Sequence, residues 1–139
     1  MKIIVVCIGR LRGAPFADDV AHYERLLTRQ ARVEIQEVKD DAGAAKRIPE
    51  SAFVCVLDRE GTALSSTDLS GFLEERRLAG SDLCFVIGGP FGLDQSITQR
   101  ADLRLSFGPI TLPHELARVV LLEQLFRAHK ILAGEKYHY

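Results

Sequence analysis

Gly88-Gly89-Pro90-Phe91-Gly92 directly follows the apolar run Leu83 to Ile87, and three of its five residues are glycine. Glycines at that density let backbone approach a ligand closely and expose N–H groups. Further on, Gly108-Pro109-Ile110-Thr111-Leu112 is mostly apolar yet must be a connection, because a long helical pattern begins just after it. An apolar loop with free amides and carbonyls suits a flat heterocycle, its ring against side chains and its edge on the backbone. Taken alone, the glycine segment reads equally as a tight turn. It is not a dinucleotide fingerprint, since the G-x-G-x-x-G spacing is absent, and neither a Walker motif nor a G-x-S-x-G elbow occurs.

The chain has four histidines. His22 falls on the polar side of a helical pattern and reads as solvated. His129 lies beside Arg118 on the long last helix, where a surface or interface role is the simpler reading. His114 opens that helix, where a neutral ring can bond the free amides. His138 sits in a short tail that nothing in the sequence requires for folding. No two histidines have metal-ligand spacing, so a metal site is not expected. Cys7, Cys55 and Cys84 each lie inside a short apolar run, without C-x-x-C spacing, and are expected as buried reduced thiols.

The elements that must position these groups alternate. Lys2 to Ile8, Phe53 to Asp58 and Leu83 to Ile87 are continuous apolar runs, the pattern of strands buried on both faces. Val33 to Val38 is a weaker, alternating strand that suits an outer position, and Leu103 to Phe107 reads as the last strand. Between them, Phe16 to Gln30 predicts an amphipathic helix with Val20, Tyr23, Leu26 and Leu27 on its apolar side. Lys39 to Ser51 offers a single short helical turn, Asp68 to Leu78 a helix capped within Ser65-Ser66-Thr67, and Asp94 to Arg100 a short helix. Arg59-Glu60-Gly61 reads as a turn. Strands and helices in alternation, most strands apolar throughout, give an α/β parallel sheet covered on both faces. In such sheets ligands bind beyond the carboxyl ends of the strands, here after Asp58, Ile87 and Phe107.

The 139 residues fit one domain, 47% hydrophobic and 27% charged. A net charge of −1 supplies no global basic field to hold nucleic acid unaided. No stretch approaches a membrane span and no signal-peptide pattern opens the chain, so a cytoplasmic protein is expected. The last helix should run from near Pro113 to Ala133, with Gly134 as its left-handed cap, about 30 Å in all. Its apolar residues form three stripes: Leu116, Val120 and Ile131; Val119, Leu122 and Phe126; Leu121, Leu125 and Leu132. One covered face suffices for a helix in a small domain. Three stripes call either for a fully central helix, which a 139-residue chain can barely wrap, or for cover from the chain's own sheet on one side and a second copy on the other. We prefer the second reading.

Taken together, Val86-Ile87-Gly88-Gly89-Pro90-Phe91-Gly92-Leu93, Ser106-Phe107, Thr111-Leu112-Pro113-His114, Arg118-Val119, Leu125-Phe126-Arg127-Ala128 and Gly134-Glu135-x-Tyr137-His138 resemble the bacterial 23S rRNA pseudouridine N3-methyltransferase family. That family belongs to the SPOUT, or α/β-knot, class, and the similarity runs essentially end to end. The resemblance implies a single three-layer α/β domain over residues 1–139, its C-terminal part (roughly 82–139) threaded as a trefoil knot. It implies a homodimer through the C-terminal helix and S-adenosylmethionine as cofactor. The cofactor pocket would be formed by Leu57, Gly88, Phe107, Gly108, Pro109, Ile110, Thr111 and Leu112. The substrate would be a pseudouridine of 23S rRNA in the assembled ribosome. His138 with Tyr137 would reach the pocket across the dimer to position or deprotonate the base, and Arg118 would contact RNA phosphate or the interface. Three departures stand out: a short stretch between Val38 and Phe53, Phe91 in a variable slot of the glycine loop, and Tyr139 at the end. A SPOUT enzyme acting on another RNA, or a non-catalytic ribosome-associated factor, are the competing readings.

Overall fold

In the computed structural model, residues 1–11 and 15–139 are described; the middle of the Gly9–Pro15 loop lies outside them. The order of elements is β1 (Lys2–Ile8), α1 (Phe16–Thr28), β2 (Arg32–Val38), α2 (Asp41–Arg47), β3 (Phe53–Ala63), α3 (Ser66–Ala79), β4 (Leu83–Ile87), α4 (Gln95–Thr98), β5 (Leu103–Ser106) and α5 (His114–Leu132). Among the described residues the strands form one sheet in the order β2-β1-β4-β3-β5, with every pairing parallel.

The sheet is the middle of three layers. Ile3, Val5 and Cys7 point to the face covered by α1, α3 and α5, where Leu27, Leu73, Leu121 and Leu125 are fully buried. Ile4 and Val6 point to the other face, against Ala44 and Ile48 around α2 and Ile97 of α4. Period-two strands buried on both sides thus explain the unbroken apolar runs. The alternating β2 is an edge strand, as its pattern predicts. Cys7, Cys55 and Cys84 are free and buried, and burial pushes their thiols up to about 11, about 12 and about 12. They are packing residues.

Two elements differ from expectation. The segment after Val38 forms the seven-residue helix α2, capped by Asp40 accepting from Gly43 N–H at 2.8 Å, more than a single turn. β3 does not stop at Asp58: it bulges through Arg59-Glu60-Gly61 and rejoins β5 at Thr62. The local turn signal is sound, but β5 supplies more partner groups than a shorter strand would use. Gly61 makes this possible, since a side-chain carbon there would lie 2.3 Å from the Arg104 carbonyl oxygen.

Ser65 caps α3 through a complete capping box, its hydroxyl accepting from Asp68 N–H at 3.0 Å while the Asp68 carboxylate accepts from Ser65 N–H at 3.3 Å. Ser65→Ala is expected to lower stability by about 1 kcal/mol in urea unfolding. It should leave the candidate site unaltered, because Ser65 is not among the residues that line it.

Candidate functional site

Where β3, β4 and β5 deliver their loops lies a cleft of about 880 Å³. Its walls are Leu57, Asp58 and Arg59 of β3, then Ile87 with Gly88, Gly89, Pro90, Gly92 and Leu93 after β4. Residues between Phe107 and Ala117 lead into α5 and close it, with Thr98 of α4 beside them. Of the residues expected in a cofactor pocket, Leu57, Gly88, Phe107, Gly108, Ile110, Thr111 and Leu112 all line it, and Pro109 does not. Pro109 is exposed and serves as a connector after Gly108, whose φ of +102° turns the chain.

Close backbone packing shapes this cleft. A side-chain carbon on Gly88 would sit 2.8 Å from the Gly92 carbonyl carbon and 3.0 Å from Leu93 Cγ, so even alanine would force the loop open. Ser106 joins the other two walls: its hydroxyl donates to the Arg59 carbonyl at 2.9 Å and accepts from Gly108 N–H at 3.0 Å. Arg59 in turn donates to the Thr111 hydroxyl at 2.9 Å. Asp58 is held well below the usual carboxylate range by the Glu60 N–H and then by Arg104, whose Nε donates at 2.9 Å. It therefore enters the site ionised and already paired, a poor proton acceptor. Across the cleft, the loop from Phe107 to Pro113 carries the chain from edge strand β5 to the end of β1. There His114 Nε2 stands 3.4 Å from where a side-chain carbon on Gly9 would be.

The tail lies elsewhere. Tyr137 stacks edge-on against Phe126 at 4.9 Å and donates to Glu123 Oε1 at 3.2 Å. Glu123 is also paired with Arg127 at 2.7 Å, the i,i+4 pair visible in the sequence. The Arg127 guanidinium lies over the Tyr137 ring at 4.8 Å, and its Nη1 meets His138 Nδ1 at 3.2 Å. Burial and then the Glu123 charge push the Tyr137 phenol up to about 12, so it remains a protonated donor. Neither Tyr137 nor His138 lines the cleft of its own protomer. From Ala117, the last residue of α5 on the cleft, to Arg127 is ten residues, or about 15 Å of helix.

Arg118 lies inside its own protomer. It is only 2% exposed, with Nη1 donating to Glu37 Oε2 at 2.7 Å and Nη2 to the Gly9 carbonyl at 3.3 Å. A guanidinium buried in that way braces α5 against the ends of β1 and β2.

Comparison with known proteins now decides the family. The family described as "Predicted SPOUT methyltransferase" matches residues 1–138. The chain belongs to it. This SPOUT methyltransferase is 39% identical over 158 aligned positions to the ribosomal RNA large subunit methyltransferase H of Carboxydothermus hydrogenoformans, with 99% of each chain covered. It is 41% identical over 154 positions to the protein of the same name from Dinoroseobacter shibae, again with 99% of each covered. Alignments that long over a 139-residue chain mean the relatives carry insertions, consistent with a shortened region in this one. Among solved structures, a probable methylase family protein from Haemophilus influenzae aligns with a TM-score of 0.57 at 13% identity, over 99% of this chain and 70% of that one. That likeness supports the fold.

As a member of that family the protein is a methyltransferase, and it must take a methyl donor. Its cleft also holds residues to which the sequence assigns no part in it. The sequence places Asp58 and Arg59 only at a strand end, and the β3 bulge that brings them to the cleft depends on pairing with β5. It places His114 at a helix start, and only the fold shows that this start lines the cleft. Among the described residues no group of three or more His, Cys, Asp or Glu side chains is arranged to hold a metal ion, and no helix is long and apolar enough to cross a membrane.

Proposed function

We propose that this enzyme transfers a methyl group from S-adenosylmethionine to N3 of a pseudouridine in 23S rRNA, on the assembled ribosome. The observation that carries the reading is the cleft itself, formed where seven of the eight residues carried over from the family resemblance converge. Its residues fit that donor. Gly88 lets Gly92 and Leu93 close tightly over it, which holds the loop after β4 in the shape that walls the cleft. Leu57, Ile87, Phe107 and Leu112 offer apolar walls for it. When bound, the donor supplies an electrophilic methyl on a sulfonium. The protein's own contribution is to exclude water and orient the base, an effect that can reach several kcal/mol.

Completion of the site across a homodimer is part of the proposal. The stripe Leu116, Val120 and Ile131 belongs to neither core cluster, so it is the face of α5 left for a second copy. An isologous antiparallel contact across that face would bring one tail toward the Ala117 end of the other helix, which offsets the separation of about 15 Å along a single helix. Threading of residues 82–139 as a knot is likewise supported by the Phe107–Pro113 crossing over the strand ends. His138 then acts as a positioning donor. Arginine can only donate, so Nδ1 of His138 accepts from Arg127 and a neutral ring carries its proton on Nε2. That proton can bond a base carbonyl, whose charge grows as N3 loses its own.

The test is incubation with labelled S-adenosylmethionine and intact ribosomes, separated subunits or tRNA, followed by mass spectrometry of the nucleosides. A 3-methylpseudouridine in rRNA of intact ribosomes is expected. Label in tRNA alone would point to another RNA substrate, and no calorimetric signal with the donor would overturn the choice of S-adenosylmethionine.

A further inference from the structure

The side chain of Phe91 is 102% exposed, the full exposure of a free residue. Isolated exposed apolar residues are ordinary. The placement of this one is not. Gly92 N–H donates to the Gly89 carbonyl at 3.0 Å, and the two glycines form a small antiparallel bridge, so Pro90 and Phe91 are the corners of a closed turn. Proline at the first corner fixes its own φ, and Gly92 follows at φ +78°. The turn is thereby a rigid mount. Nothing in its geometry calls for an aromatic ring at the second corner, where a small polar residue serves as well.

The mount stands on the lip of the cleft. Pro90 and Gly92, on either side of Phe91, both line it, and so does Ile110, which is 70% exposed. Other exposed large apolar residues are at the chain ends (Met1 and Tyr139) or on helices (Leu78 and Leu132). Among the described residues, the two carried by loops are therefore the two at this mouth. Any base reaching the cleft must leave its stack, and unstacked bases are held by aromatic side chains.

We propose that Phe91 stacks on a nucleobase of the RNA substrate at the mouth of the cleft, the target base or its neighbour. It is a substrate-positioning residue. The inference rests on the RNA substrate proposed above. The partner subunit is the less fitting occupant, because the uncovered apolar stripe lies on α5, not on this loop.

Phe91→Ala should raise the KM for unmethylated intact ribosomes about 10- to 100-fold, with kcat at saturation little changed. Phe91→Trp should restore wild-type KM. Calorimetric affinity for S-adenosylmethionine and the dimer mass by light scattering should be the same in all three proteins. The chain contains no tryptophan, so Phe91→Trp also introduces a single fluorophore. Its emission should be unmoved by S-adenosylmethionine or by dilution across the dimer range. Wild-type KM in Phe91→Ala would overturn the proposal, as would emission from the Phe91→Trp protein that follows the donor or self-association. Failure of the wild-type enzyme to methylate ribosomes would instead sink the substrate assignment on which it rests.

Discussion

Replacing Glu37 with leucine is expected to destabilise the protein by about 3 kcal/mol, more than removing its partner Arg118 does. The pair is asymmetric: the Arg118 side chain is 2% exposed and that of Glu37 is 37% exposed. Without Glu37, a buried guanidinium loses its counter-charge, a change that typically costs roughly 3–5 kcal/mol. Water at the exposed carboxylate screens the pair and sets the expectation at the low end. Arg118→Met leaves only a carboxylate that can turn to solvent, and its cost should be smaller. The double variant should recover part of what Glu37→Leu loses, because it strands no charge. Urea unfolding of the four proteins gives the cycle, and equal losses in both single variants would refute the brace. The pH dependence has a definite sign. Burial raises the Glu37 carboxyl, but the Arg118 and Leu11 hydrogen bonds and the Arg118 and Arg10 charges outweigh it and leave it below its usual value of 4.5. A depressed folded-state pKa contributes stability above the unfolded-state value, and that stability is lost as pH falls through the folded one. Wild type should therefore lose its advantage over the double variant below about pH 4.5.

This brace also marks where the sequence stops being informative. Strands such as Leu83 to Ile87 are legible because a central parallel strand needs apolar residues on both faces, a demand written into a single segment. The capping box at Ser65 and the edge position of β2 are likewise local. Arg118 is not: its burial depends on Glu37, 81 residues earlier, and on Gly9. Nothing near Arg118 in sequence distinguishes it from Arg127, which stays on the helix surface with Glu123. The β3 bulge escapes a sequence reading for the same reason, since Arg59-Glu60-Gly61 carries a genuine turn signal that pairing with β5 overrides. Two routes lead to the cleft, loops at strand ends and the family resemblance, and both arrive at the middle of β3 and the segments after β4 and β5. Pro109 shows the limit of position-by-position transfer, which locates a loop but not which of its side chains turn inward.

The largest effect on activity should come from separating the tail from the cleft. Deleting Tyr137 to Tyr139 removes the ring against Phe126 and the His138 contact with Arg127, but no residue of the cleft. The shortened protein should bind S-adenosylmethionine normally and transfer no methyl group. Gly88→Ala should do the reverse, losing donor binding because its side chain collides with Gly92 while the tail remains intact. Neither variant alone should methylate ribosomes. If the tail works in the partner's cleft, a mixed dimer carrying one chain of each kind contains one complete site. Purified through two different affinity tags, it should turn over at about half the wild-type rate. A tail that acted on its own protomer would give no rescue, because each chain of the mixed dimer carries one defect. Activity in the tail-deleted protein by itself would remove His138 and Tyr137 from the reaction altogether. Rescue at half rate has one reading: the cleft of one chain is finished by the last residues of the other.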